Sequence, residues 1–264
     1  MLNLNELMKI LNQIAPLSLS KKLIEKGDYD NSGIIVNSHE NINGIMFALD
    51  LTEQVVKRAK RLKCDTIITH HPAIYYPISS LDTNSPLTKP ILLAIENKIN
   101  VMSMHLNLDI AKLGIDYYLA YGLGATKANI LDLVEDGCGY GREFCLNQTT
   151  LSEFVKKIKA VFGTQKVLCY GGKNTCFNKV ASFCGAGASH AQEMILSGKT
   201  NAEVIVTSEM PHHILNQLIG LGKSIVLLTH YASENYGFKR FFESVSQKLN
   251  QQIKTYFYED KRLL

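Results

Sequence analysis

The chain has 264 residues, 46% of them hydrophobic and 20% charged, a composition that supports a globular core in one large domain or two small ones. A formal charge of +4 at pH 7, without a basic tract, leaves no footprint of a nucleic-acid-binding tail, although a nucleic-acid partner is not excluded. No apolar run reaches the roughly 18 residues needed to span a bilayer, and the start lacks a basic leader with a small-residue cleavage site, so the expected location is the cytoplasm. Six cysteines without a C-x-x-C pair are read as reduced and mostly buried, not as a thiolate metal site.

In chain order, short β-rich runs alternate with amphipathic helices, which predicts an α/β fold. The opening segment carries Leu4, Leu7, Met8 and Leu11 at helical spacing. "GIMFAL" (44–49) reads as a strand, followed by a helix expected to begin at Asp50 with Glu53 as its capping-box partner. Strands "TIIT" (66–69) and "INVMSM" (99–104) follow, then a helix ending near Gly122 and Gly124. The glycine-rich stretch Glu135–Thr150 reads as a loop and domain boundary. Beyond it come a helix over 152–162, strands over 166–171 and 179–185, and a helix after Ser189. The last section repeats the alternation through "EVIVTS", "HHILNQLIGLG", "SIVLLT", "GFKRFFESVSQKL" and "IKTYFY". The tyrosines at 75, 76, 117, 118 and 121 are read as packing residues. "CGAGAS" (184–189) lacks the ending of a phosphate-binding P-loop and reads as a tight strand-to-helix turn.

Six of the eight histidines, His70, His71, His105, His212, His213 and His230, fall at or just past the C-terminal end of an expected strand. In open α/β sheets that is where ligands bind. Asp109 follows His105 by four residues, and Glu234 follows His230 by four, so on the first turn of a helix each pair shares one face. Imidazole with carboxylate suits zinc, manganese or iron. Adjacent histidines diverge and so more easily serve two ions than one, and a glutamate can bridge ions roughly 3.5–4 Å apart.

"THHPAIY", "HLNLD" and "THYASE" resemble the signature segments of the dinuclear-metal proteins known as GTP cyclohydrolase 1 type 2 homologues, relatives of bacterial YbgI and of the eukaryotic NGG-one-interacting factor three. "DNSGIIV" (30–36), "GYGR" (139–142), "CGAGAS" and "VIVTSEMPHH" resemble further segments of the family, so the likeness spans nearly the whole chain. Ser208, where the family usually has glycine, and Pro211 depart from its pattern.

The resemblance implies that His71 and Asp109 hold one divalent transition-metal ion, that His70 and His230 hold a second, and that Glu234 bridges them. His105 would be an outer-shell residue or proton carrier, and His212 and His213 pocket residues; His105, His212 and Glu234 are the expected catalytic groups. It further implies two intertwined α/β domains with mixed sheets flanked by helices. The expected division is residues 1–135 with 200–264 as the metal-binding domain and 136–199 as a smaller inserted one. A homohexamer is implied as the assembly. The expected activity is metal-dependent hydrolysis of a nucleotide-like or phosphorylated small molecule; the alternative is a metal-binding scaffold or regulatory partner without turnover.

Overall fold

A computed structural model of the chain describes residues 2–250 and 252–264; Met1, at the head of the expected first helix, lies outside them. It contains two compact α/β units, Met1–Leu108 with Phe238–Glu259, and Asp109–Gly237 with Asp260–Leu264.

The first unit begins with β1 (Leu2–Asn3), α1 (Leu4–Ile14), α2 (Leu17–Glu25), β2 (Gly33–Val36), β3 (Asn41–Ile42), β4 (Gly44–Ala48), α3 (Glu53–Arg61), β5 (Thr66–Thr69), α4 (Lys89–Glu96) and β6 (Asn100–Ser103). Helix α5 (Leu106–Asp109) carries the chain into the second unit. The second unit holds α6 (Ile115–Leu123), β7 (Asn129–Glu135), β8 (Cys138–Thr150), α7 (Leu151–Phe162), β9 (Leu168–Tyr170), β10 (Cys176–Ser182), α8 (Ala188–Leu196), β11 (Val204–Thr207), α9 (His212–Gly220) and β12 (Ser224–Leu227). Helix α10 (His230–Lys248) starts in this unit, and the chain re-enters the first along it to end in β13 (Lys254–Tyr258).

The main sheet of the first unit has the order β13-β4-β5-β6-β2. Its first four strands are parallel, and β2 is antiparallel to β6. Every residue of β4, β5 and β6 is buried, as a parallel strand covered on both faces requires. One face packs Val55, Val56 and Ala59 of α3 with Ile91 and Ala94 of α4 against Met46, Ile67 and Val101. Elsewhere in this unit Phe47 lies 6.3, 6.1 and 5.3 Å from the rings of Phe238, Phe241 and Phe242.

The sheet of the second unit has the order β7-β8-β10-β11-β12-β9. Strands β10, β11 and β12 are parallel to one another, and β7, β8 and β9 join antiparallel. Both sheets are therefore mixed and carry helices, as the α/β reading expects. No described helix is long and apolar enough to cross a membrane.

Three local readings are corrected. The stretch from Glu135 to Thr150 is not a loop: its glycines sit in the β7–β8 hairpin. Cross-strand pairing holds them there; Gly139 has no room for a side chain, because a Cβ would lie 2.3 Å from the Asp132 carbonyl. Strands β7, β8, β11 and β12 all belong to one sheet, and the chain passes from one compact unit to the other after Leu108 and after Gly237. Asp50 does not open α3; Thr52 caps it, its hydroxyl accepting from the Val55 amide. Finally, α10 begins at His230, seven residues before the expected start at Gly237, so His230 and Glu234 share its first turns.

Candidate metal-binding residues

In the first unit, three neighbouring parallel strands deliver polar groups at their C-terminal ends. Strand β4 leads to Asp50, β5 to His70 and His71, and β6 to His105. The amides of His70 and His71 both donate to the Leu49 carbonyl, at 3.1 and 3.0 Å, which holds the turn after β5. His70 is fully buried and stacks near Phe238, with centroids 5.9 Å apart.

Each of the three imidazoles has its Nδ1 committed. His70 Nδ1 lies 2.8 Å from the Met104 carbonyl, and since a carbonyl only accepts, Nδ1 carries the proton. His71 Nδ1 meets Asp50 at 2.7 Å, and His105 Nδ1 meets Asp30 at 2.7 Å. In the neutral rings this puts the lone pair on Nε2, the tautomer that an acceptor on Nδ1 imposes on metal-ligating histidines. Ligand nitrogens of His70, His71 and His105 all lie within 4.8 Å of one another. The donor set fits a divalent transition metal.

Asp30 is the most heavily bonded of these supports. Its side chain is fully buried and accepts from Ser20 and Ser32 as well as from His105. Burial alone would raise its pKa; the hydrogen bonds from His105 and the two serines outweigh that and hold the carboxyl below its usual range.

In the second unit the same logic recurs. Strand β10 leads to Cys184 and Gly185, β11 to Ser208 and Glu209, and β12 to His230. His230 Nε2 lies 2.9 Å from Glu234 Oε1, and Nδ1 lies 3.0 Å from both carboxylate oxygens of Glu209. Burial would lower the His230 pKa, but the two carboxylates reverse the effect and push it up to about 11. So much negative charge gathers here that, without another cation, the ring itself becomes one.

Gly185, in the "CGAGAS" turn, makes room for this pair. Its φ is +55°, and a Cβ would lie 2.4 Å from Glu234 Oε1 and 3.3 Å from the His230 ring. Ser208 donates to Ser233 at 2.8 Å, and Ser233 donates to the His230 carbonyl at 2.8 Å, so the serine that departs from the family pattern ties the β11 end to α10. Asp109 is buried, and the Cys184 thiol donates to it at 3.6 Å. Burial, with the charges of Asp109, Asp116 and Glu234, pushes that thiol well above its ordinary pKa. The Cys184 thiol thus keeps its proton as a donor to Asp109.

His212 and His213 sit exposed in the first turn of α9. Among the described residues neither enters a group with metal-ligand spacing. His190 stacks on Tyr140 at 4.9 Å. Sequence reasoning missed the orienting carboxylates Asp30, Asp50 and Glu209. For Asp30 and Glu209 a signal existed, since both lie in segments singled out for other reasons; Asp50 was assigned to a helix cap.

Residues 2–262 match the family described as Duf34/NIF3 (NGG1p interacting factor 3). A GTP cyclohydrolase 1 type 2 homolog of Clostridium perfringens is 31% identical over 256 residues, covering 96% of this chain and 94% of that protein. A protein of Helicobacter pylori named GTP cyclohydrolase 1 type 2 is 27% identical over 249 residues, covering 94% and 93%. Among solved structures, a Bacillus cereus protein related to NIF3 superposes with a TM-score of 0.84 at 20% identity, covering 98% of this chain and 97% of that one. A Staphylococcus aureus hypothetical protein gives 0.85 at 22%, with the same coverage; these two likenesses concern the fold.

Proposed function

The chain belongs to the Duf34/NIF3 family, and from that premise we propose that it is a dinuclear-metal-dependent hydrolase of a nucleotide-like or phosphorylated small molecule. The observation that carries the reading is the trio His70, His71 and His105, each with Nδ1 held by an acceptor and with ligand nitrogens within 4.8 Å of one another. Core histidines satisfied for packing alone have no reason to converge with the same tautomer. The pairing of His230 with Glu234 on α10 adds a second donor group with excess negative charge.

The ligand set we propose is His70, His71, Asp109, His230 and Glu234, with zinc, iron or manganese as the metal, two ions per chain. His71 with Asp109 and His70 with His230 are the proposed terminal ligands, and Glu234 the bridge. Lewis acidity toward a carbonyl or phosphoryl oxygen is what such ions supply when bound. The protein's own part is to hold and move protons. His105, anchored at Nδ1 by Asp30, keeps Nε2 for taking a proton from the nucleophile and returning it to the leaving group. Asp50 and Glu209 fix the rings of His71 and His230 in the same manner. A cytoplasmic homohexamer is the proposed form.

The test is a screen of metal-reconstituted protein against nucleotides, cyclic nucleotides and phosphoesters, with Asp109→Ala and Glu234→Gln as controls. Turnover in the wild type that vanishes in both variants supports the hydrolase. Indistinguishable wild type and variants across the panel would move the protein to the non-catalytic scaffold.

A further inference from the structure

The loop that follows His70 and His71 also presents aromatic side chains. Tyr75 and Tyr76 pack edge to face at 4.6 Å between centroids. Tyr29, from the segment that supplies Asp30, lies 5.2 Å from Tyr75 and 4.7 Å from Tyr76. Two hydrogen bonds tie the segments together: the Tyr75 hydroxyl donates to the Tyr29 carbonyl at 2.9 Å, and the Asn31 side-chain Nδ2 donates to the Ile74 carbonyl at 2.6 Å.

Tyr76 does not behave as the packing residue expected from the sequence. Tyr76 is 63% exposed and Tyr29 42% exposed. An aromatic cluster held rigid yet open to solvent marks a binding surface rather than a core. Its inner edge is the candidate catalytic histidine, for the Tyr75 ring meets His105 edge-on at 5.8 Å. The charge nearby is negative. Asp28 precedes Tyr29 and is exposed, and its charge and that of Asp30 act on Tyr75. Such a setting disfavours a bare anion and suits a flat ring whose edge carries N–H donors.

We propose that Tyr29 and Tyr76 form a stacking subsite for a planar nitrogen-heteroaromatic ring, with Tyr75 joining it to His105. The subsite deepens the hydrolase reading and rests on it for the role of His105: the substrate's ring lies on the tyrosines, and its reacting bond lies toward the histidines. Every base has a π-face, so stacking gives affinity for the ring class without choosing one base.

The experiment measures affinity of the full-length, metal-loaded protein for adenosine and inosine, with ribose as the ringless control, by calorimetry and by saturation transfer to the ring protons. The variants are Tyr76→Ala and Tyr76→Phe, whose exposed position spares the core; thermal unfolding checks that. Both nucleosides should bind where ribose does not, with roughly a tenfold loss in Tyr76→Ala and none in Tyr76→Phe. Unchanged affinity in Tyr76→Ala, or no nucleoside binding at all, overturns the subsite. So does a Tyr76→Ala protein with unchanged affinity but reduced assembly mass in light scattering, since the rings would then contact a second copy. Turnover reports on the hydrolase reading separately. A ringless phosphoester hydrolysed without nucleoside binding sinks only the subsite, and nucleoside binding without any turnover sinks only the hydrolase.

Discussion

The Nδ1 nitrogen of His105 donates to Asp30 at 2.7 Å, joining two residues 75 positions apart in the chain. A carboxyl held below its usual range is ionised and only accepts, so the bond fixes the imidazole tautomer as well as its orientation. The end of β6 supplies the histidine, and the turn before β2 supplies its anchor.

Replacing Asp30 by Asn should destabilise the protein by about 2 kcal/mol at pH 7, the scale of a buried hydrogen bond to a charged group. Because the folded pKa is depressed, the carboxylate's contribution is fully present above the ordinary value of 3.8 and is lost as pH falls through the lower folded value. Denaturant titrations at pH 7 and pH 3 should therefore show the gap between wild type and variant closing at the lower pH. An equal gap at both would contradict the ionised role of Asp30.

Gly185→Ala places a methyl group 2.4 Å from Glu234 Oε1 at a φ of +55°. The left-handed backbone alone costs about 1–2 kcal/mol for a residue with a Cβ. The displaced glutamate should also reduce metal content, which elemental analysis of the purified variant reads directly. A variant with wild-type stability and metal content would show that the turn relaxes freely.

The parallel strands and most helices are legible in the sequence because local pattern and final environment agree there. "TIIT" is apolar or β-branched throughout and is buried throughout. Gly124 closes α6 with a φ of +111°, as a glycine at a helix end should. What could not be read depends on partners far away in the chain. The glycines of Gly139–Arg142 look like loop punctuation until β8 pairs with β7 and β10. Asp50 looks like a helix cap until His71 is beside it. The histidines were visible as a class because they cluster at strand ends; their orienting carboxylates carried no periodic signal. Exposure of Tyr76 likewise depends on how its loop is held.

Arg142 is buried against Asp116 at 3.2 Å and donates to the Gly139 carbonyl at 2.8 Å. Arg142→Leu should cost about 3–5 kcal/mol, because removing one partner leaves the other charge buried. The midpoint of chemical unfolding checks it, and a shift below about 1 kcal/mol, the scale of an exposed ion pair, would count against the pair's burial.

Thiol reactivity should follow exposure. Cys145 and Cys176 are exposed, whereas Cys64 and Cys184 are buried, with burial raising the first to about 11 and, with neighbouring carboxylates, the second well above its ordinary value. Brief alkylation of the native protein near pH 7, followed by peptide mass spectrometry, should label Cys145 and Cys176 and spare Cys64 and Cys184. Early labelling of Cys184 would show a reactive thiolate beside Asp109 and undo its assignment as a protonated donor.

The metal-dependent reading stands most directly on the metal content of purified wild-type protein and Glu234→Gln, measured side by side by mass spectrometry of the elements after reconstitution. The expected result is about two transition-metal ions per wild-type chain, as in two-metal hydrolytic sites, and loss of most of them in the variant. A wild type that retains none, or a variant that retains as many as the wild type, would contradict it.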